Sequence, residues 1–213
     1  MNYLAHFHLA GDDPGLLIGA LLGDFVKGEI GSKTFLSAAR FDVLPEQTIA
    51  GIALHRSVDA NFDTLEDLLA FRASMDPSSR RYHGIAIDLM FDYLLSRSWG
   101  TFHDGTLAQY SDAIFELLEK HEHAFGTDAR AFSQRLREHR LLEKYREPEI
   151  IRRIAEGIAK RLGNNTLCVQ LDALLEDERH AMAHFERIYP TMQQIARQRA
   201  SVLAREDFHI TNR

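Results

Sequence analysis

Apolar residues recur three and four positions apart along most of this chain, and that period restricts what it can fold into. The clearest case follows Pro148, where Ile151, Ile154, Ile158 and Leu162 form one stripe that ends at Gly163. Proline stands where a helix start leaves its N–H unused, and glycine where a left-handed C-terminal cap belongs. No stretch alternates apolar and polar residues for long enough to argue a sheet. The predicted class is all-α, a single-domain helical bundle of about eight helices.

Residues 15–27 form the first clear candidate helix, followed by the loop "KGEIGSKT". A second starts after Pro45 in "PEQTIAGIALHRSVD" and is expected to end near Asn61. "TLEDLLAFRASM" reads as a short helix, and "DPSSRR" as a turn into a helix over 82–99. Further helices are predicted over 106–124, 128–145, 148–162, 166–188 and 191–204, the last two separated by Pro190. No repeat or low-complexity linker divides the chain, so 1–204 is expected to be one domain and 205–213 a frayed tail.

With 45% hydrophobic and 26% charged residues and only 5 Pro, the composition is that of a folded globular protein. The formal charge of −6 offers no global basic field, which argues against nucleic acid and anionic membrane as partners. An acidic partner would need a local arginine patch. A single cysteine, Cys168, excludes an internal disulfide and any cysteine-cluster metal site. The start "MNYLAHFHLAGDDPG" lacks the basic opening and long apolar core of a signal peptide, and no run approaches the roughly 18 apolar residues of a membrane span. A cytoplasmic location is expected.

Four segments interrupt the apolar pattern in the same way. His6 and His8 sit inside "YLAHFHLA", and Asp24 falls near the end of "LLIGALLGDFV", on a stripe with Leu17 and Leu21. His55 follows Ile52 by three and precedes Asp59 by four, while Asp88 and Asp92 interrupt the stripe from Ile85 to Leu95 and Trp99. Carboxylates cannot share a dry interior, because like charges at close range oppose joint ionisation. A divalent cation would resolve the conflict. Imidazole nitrogen and carboxylate oxygen without thiolate suit manganese, magnesium, iron or zinc, and bundle interiors commonly draw such ligands from separate helices. Satisfied core polar groups, or a surface face given the wrong helical phase, would account for the same residues. With 11 His and 31 acidic residues among 213, a single pair spaced like His55 and Asp59 is expected by chance. The residues alone leave these readings open.

Other candidates carry less. His180 and His184 are four apart but lie opposite the stripe Leu171, Leu175, Met182, Tyr189, which predicts a solvated face. "HEH" at 121–123 falls at a helix end, Asp12 and Asp13 read as turn residues, and Cys168 among Leu167, Val169 and Leu171 reads as core packing. No Walker loop, nucleophile elbow or dinucleotide fingerprint is present.

The segments "MNYLAHFHLA", "GALLGDFVKG", "GIALHRSVD", "RRYHGIAIDLMFDYLLSRSW" and "HFERIYPTM" are collinear with, and the chain resembles, the acyl carrier protein phosphodiesterase family. The resemblance implies a helical, HD-phosphohydrolase-like fold and a metal-dependent hydrolase, usually using manganese. It further implies removal of the 4'-phosphopantetheine arm from holo acyl carrier protein to leave the apo serine. Carried over by position, the family's motif residues fall on His6, Asp24, His55, Asp59, Asp88 and Asp92. From these, His6, Asp24, His55 and Asp88 are expected to hold the metal, Asp59 or Asp92 to orient water or act as base, and Arg56 to stabilise the phosphoryl oxygens. Arg80 and Arg81, with Arg56, are the expected contacts for an acidic carrier, and Arg152 and Arg153 come second.

Two departures from the family pattern stand out. Tyr93 follows Asp92 where a His is usual, and "ANFDTLED" keeps Asp63 but places Leu65 and Glu66 where a further His would be sought. A changed substrate, such as a nucleotide or another small phosphoester, is one alternative. A non-catalytic helical binding module is the other.

Overall fold

The computed structural model describes residues 2–206, and in them the chain is helical throughout, with one isolated bridge between Ala39 and Phe125 in place of any strand. Thirteen α-helices occur among the described residues, against about eight expected. They are α1 (Tyr3–Ala10), α2 (Pro14–Leu22), α3 (Lys33–Leu36), α4 (Thr48–Phe62), α5 (Glu66–Ser74), α6 (His83–Arg97) and α7 (Trp99–Phe102) in the first half. The second half holds α8 (Leu107–His121), α9 (Thr127–Glu138), α10 (Leu141–Lys144), α11 (Pro148–Leu162), α12 (Thr166–Glu176) and α13 (Glu178–Leu203). The excess arises from α1, where no helix was expected, from single turns such as α3 and α7, too short to show a period, and from the break between α9 and α10.

Several boundaries differ for identifiable reasons. The helix expected over 128–145 is broken at Arg140, which takes a left-handed conformation (φ 49°) and starts α10 in a new direction. The break expected at Pro190 does not occur. Pro190 lies inside α13, and the chain instead breaks at Asp177, whose side chain caps α13 by accepting from the His180 N–H. The apolar packing of Phe185, Ile188, Tyr189 and Met192, all buried, holds α13 together across the proline. By contrast α11 follows the sequence reading, with Pro148 in its first turn and Gly163 (φ 65°) as its cap. Arg205 and Glu206 form a turn and bend after α13, and the rest of the expected tail lies outside the described residues.

Helix α1 is buried on nearly every side and packs on α2, α4, α6 and α13. The tightest packing joins α2 to α4. Gly15, Gly19 and Gly23 recur every four residues, so α2 offers a groove with no side chains, and Gly51 of α4 lies against it. A Cβ at Gly51 would come within 2.7 Å of the Cα and O of Leu16, closer than such contacts allow. Among the described residues no helix is long and apolar enough to cross a membrane.

Candidate metal centre

Helix α1 is placed by a carboxylate from far along the chain. Asn2 provides no side-chain cap, and Asp92 of α6, fully buried, accepts from the backbone N–H of Leu4 and of Ala5, each at 2.9 Å. An anion against the free N–H groups of a helix start is stabilised both by hydrogen bonds and by the helix dipole. Burial pushes the Asp92 carboxyl up to about 7 against those two donors. This anchor sets the rotation of α1, and Tyr3 and His6, three apart, face the same way.

Helix α4 brings His55 and Asp59 to meet them. His55 Nδ1 lies 2.9 Å from the carbonyl oxygen of Ala20, which can only accept, so Nδ1 donates and the other ring nitrogen faces the site. Nε2 then points at two carboxylates, 3.5 Å from Asp24 Oδ1 and 3.3 Å from Asp59 Oδ2. The other oxygen of Asp59 is 3.1 Å from His6 Nε2. The His6 and His55 rings stack with centroids 3.8 Å apart. That approach needs Gly23, because a Cβ there would overlap the His55 ring.

Two imidazoles this close do not share a second positive charge. Burial and the neighbouring His55 hold the His6 ring down at about 4. Burial also opposes charge on His55, but the Asp24 and Asp59 carboxylates more than reverse it and bring the ring up to about 9. Burial acts against ionised Asp59 as well, and His55 and His6 together hold it well below the usual carboxylate range. Asp24 is likewise held down by His55 and by a hydrogen bond from the Tyr3 hydroxyl.

The donor set fits a divalent cation. One ligand atom each from His6, His55 and Asp59 lies within 4.8 Å of the others. His55 Nε2 needs a proton or a metal to face two carboxylates, and His6 Nε2 is buried with no aligned hydrogen-bond partner despite its nearness to Asp59. Two imidazole nitrogens with carboxylate oxygens suit a borderline or hard divalent ion.

The cluster borders a cleft of about 620 Å³. Among the described residues its carboxylates are Asp24, Asp59, Asp63 and Asp88 and its cations Arg72 and Arg161, and Phe25, Phe132, Ile154 and Ile158 contribute an apolar wall. A group of imidazoles and carboxylates that could hold a cation thus borders a partly apolar cleft. The acyl carrier protein phosphodiesterase family matches residues 1–192. The chain belongs to this family.

Relatives bearing the name acyl carrier protein phosphodiesterase align over most of its length. One from Klebsiella pneumoniae is 29% identical over 92% of this chain and 97% of its own, and one from Escherichia coli is 29% identical over 94% and 100%. A Yersinia pestis relative is 31% identical over 76% of this chain and 79% of its own. No solved structure matches.

Of the residues expected at the site, His6, His55, Asp59 and Asp24 come together, and Asp88 lines the same cleft outside the tight group, its carboxyl pushed up by burial. Asp24 is not on the apolar stripe of a helix as expected. Helix α2 ends at Leu22, and Asp24 stands in the following turn with its side chain 51% exposed, because the chain must turn there to leave the Gly-lined groove. Asp92 does not face the cleft; both its oxygens are taken by α1. Arg56 points away too, donating to the carbonyls of Val26 (2.7 Å) and Gly28 (2.9 Å) and covering the Phe35 ring, so it secures the loop after Asp24.

Arg80 and Arg81 are exposed on the turn Pro77–Tyr82, and Arg80 borders a hollow that shares Asp63, Arg72 and Gly84 with the cleft. Arg152 is paired with Asp172. Tyr93 turns toward α13, where its hydroxyl donates to Glu178 at 2.9 Å and accepts from Arg97 at 2.8 Å. Leu65 packs on the core and Glu66 is exposed at the start of α5. Of the lesser candidates, His184 corrects the expected solvated face. It is 8% exposed and stacks on Phe71 at 4.5 Å, whereas His180 is exposed. Asp13 caps α2, and Cys168 packs partly buried against the core.

Tyr3, Arg72 and Arg161 were not singled out from the sequence. For Tyr3 a signal existed, its spacing of three from His6. Arg72 and Arg161 reach the cleft only through the packing of α5 and α11, which no local pattern records.

Proposed function

We propose that this chain hydrolyses the phosphodiester between the 4'-phosphopantetheine arm and the serine of holo acyl carrier protein, giving apo carrier, and that it does so with a divalent metal, manganese by the family resemblance. The observation that carries the reading is the convergence of His6, His55, Asp59 and Asp24 at the edge of a 620 Å³ cleft in a chain of this family. The pairing of His55 and Asp59 on one helix with His6 from another supports kinship with HD phosphohydrolases. One helical domain over 1–204, acting in the cytoplasm, is the corresponding reading of the whole.

His6, His55, Asp59 and Asp24 would hold the metal, with Asp88 at the cleft wall, and the chemistry supplied there would be a water of lowered pKa and withdrawal of charge from a phosphoryl oxygen. The Ala20 carbonyl fixes the His55 tautomer so that Nε2 presents its lone pair, the usual outer support of a ligating imidazole. The Tyr3 hydroxyl does the same for Asp24. Asp59, with one oxygen toward each histidine, is the carboxylate placed to orient the attacking water. Asp92 and Arg56 act at one remove: the first positions α1, the second the turn carrying Asp24. The arm lies along the apolar wall, and exposed Arg80 and Arg81 near the cleft meet the acidic carrier.

Metal-stripped protein is expected to leave holo carrier intact, and adding manganese should restore the mass loss of the arm. His55→Ala and Asp59→Ala should lose both metal and turnover while remaining helical. Full activity in both variants would refute the assignment. A panel of nucleotides and small phosphoesters run alongside tests the substrate. For Arg80 and Arg81, KM for the carrier should rise with ionic strength, and a flat profile would remove them.

A further inference from the structure

Arg72 is a cation of the cleft that keeps a buried, unfilled donor. It lies on α5 with its side chain 26% exposed, and its terminal nitrogen Nη2 donates to Asp63 Oδ1 at 2.7 Å. Its Nε is buried with no partner. A buried donor left unpaired is costly in a native fold and marks a place where a second acceptor belongs. Asp63, 62% exposed, satisfies only part of a guanidinium built to take two oxygens side by side.

Its position relative to the metal cluster is fixed from two sides. Asp63 follows Asp59 by four residues at the end of α4, and the Asp63 N–H donates to the Asp59 carbonyl at 3.1 Å, so the two side chains are one helical turn apart. On α6, a Cβ at Gly84 would lie 3.7 Å from Arg72 Nη2, and Gly84 precedes Asp88 by one turn. The guanidinium therefore sits one turn from Asp59 and one turn from Asp88, over a glycine that leaves room beside it. All of these groups border the same cleft. A phosphodiester drawn to the cluster is an anion entering a cleft with four carboxylates, and it needs a cation at its outer oxygens.

We propose that Arg72 is the phosphate-binding residue of this cleft, and that Asp63 occupies its fork until the two nonbridging oxygens of a phosphodiester displace it. This rests on the phosphodiesterase reading above. It makes Asp63 a competitor of the substrate rather than a contributor to binding, which separates it from an ordinary structural ion pair.

The test measures inorganic phosphate as an inhibitor of holo carrier hydrolysis, and phosphate binding by calorimetry, in the metal-loaded wild type and three variants. Arg72→Ala should weaken phosphate by about tenfold to a hundredfold, the range for losing hydrogen bonds to a charged group. Manganese binding should be unchanged. Arg72→Lys, which keeps the charge but loses the fork, should fall between. Asp63→Asn, with its competing charge gone, should bind phosphate more tightly than wild type. Phosphate binding unchanged in Arg72→Ala would overturn the proposal, as would weakening in Asp63→Asn to the level of Arg72→Ala. If wild-type protein leaves holo carrier intact, the phosphodiesterase reading fails, and the calorimetry still decides the role of Arg72.

Discussion

Replacing Gly51 by Ala tests whether the contact between α2 and α4 governs both stability and the proposed metal site. In an isolated helix the change would help by roughly 1 kcal/mol, because alanine is the better helix former. Here the new methyl would lie 2.7 Å from the Cα and O of Leu16 and 2.8 Å from the O of Gly15. Carbon contacts are comfortable at about 3.5–4.0 Å, so the two helices must part by about 1 Å. The obstructing atoms are backbone and have no other rotamer to adopt, which puts the overpacking cost near about 3 kcal/mol, the upper end of its usual range. The net is a loss of about 2 kcal/mol. For a chain of this size that lowers Tm by about 4–8 °C. The same separation stretches the 2.9 Å bond from His55 Nδ1 to Ala20, so under the proposed function divalent-metal affinity should fall as well. Gly157→Ala in α11 is the control, since nothing lies within 4 Å of a Cβ there, and it should raise Tm by about 1–4 °C. Thermal and urea melts followed by circular dichroism decide the matter. A Gly51→Ala protein that melts at or above wild type would refute the packing argument.

Three further outcomes follow from the site. In metal-free protein the His55 ring titrates at about 9 instead of 6.5, so the folded state holds that proton more tightly than the unfolded chain. The stabilisation is therefore complete below the ordinary value and is lost as pH rises through about 9. A shift of this size is worth about 3 kcal/mol, and urea midpoints should decline over that window in wild type but not in His55→Gln; parallel curves would contradict it. Asp92→Ala leaves the N–H groups of Leu4 and Ala5 buried without an acceptor, a loss of about 2–5 kcal/mol in melts, with Asp92→Asn losing less. Arg56→Ala should weaken metal binding by freeing the loop at Val26 and Gly28, yet leave phosphate inhibition unchanged; weakened phosphate binding would place Arg56 in the cleft instead.

How much of the site could be read beforehand depends on the range of the interaction. His55 and Asp59 lie on one helix, where a spacing of four puts them on a common face, and both were found from that spacing. His6 stood out as an imidazole among apolar residues. Asp92 stood out equally, but the same signal, a carboxylate on an apolar stripe, covers two outcomes: an acid facing a cleft and an acid anchoring a distant helix start. Arg56 was ambiguous in the same way, since its fork accepts backbone carbonyls as readily as phosphate oxygens. At Pro190 the local cost of a proline inside a helix is offset by the buried apolar face across it, which no local pattern shows. The spacing of Gly15, Gly19 and Gly23 is a local signal of the close helix contact that shapes the site.

The all-helical class, the cap-to-cap extent of α11 and the shared face of His55 and Asp59 are local properties, since each depends on the backbone period and on residues within a turn or two. The stacking of His6 on His55, the reach of Asp59 to both rings and the place of Arg72 over Gly84 exist only in the packed chain. Each of these arrangements depends on a contact between different helices, and its geometry is set by how closely two helix backbones approach and by which distant carboxylate fixes a helix's rotation.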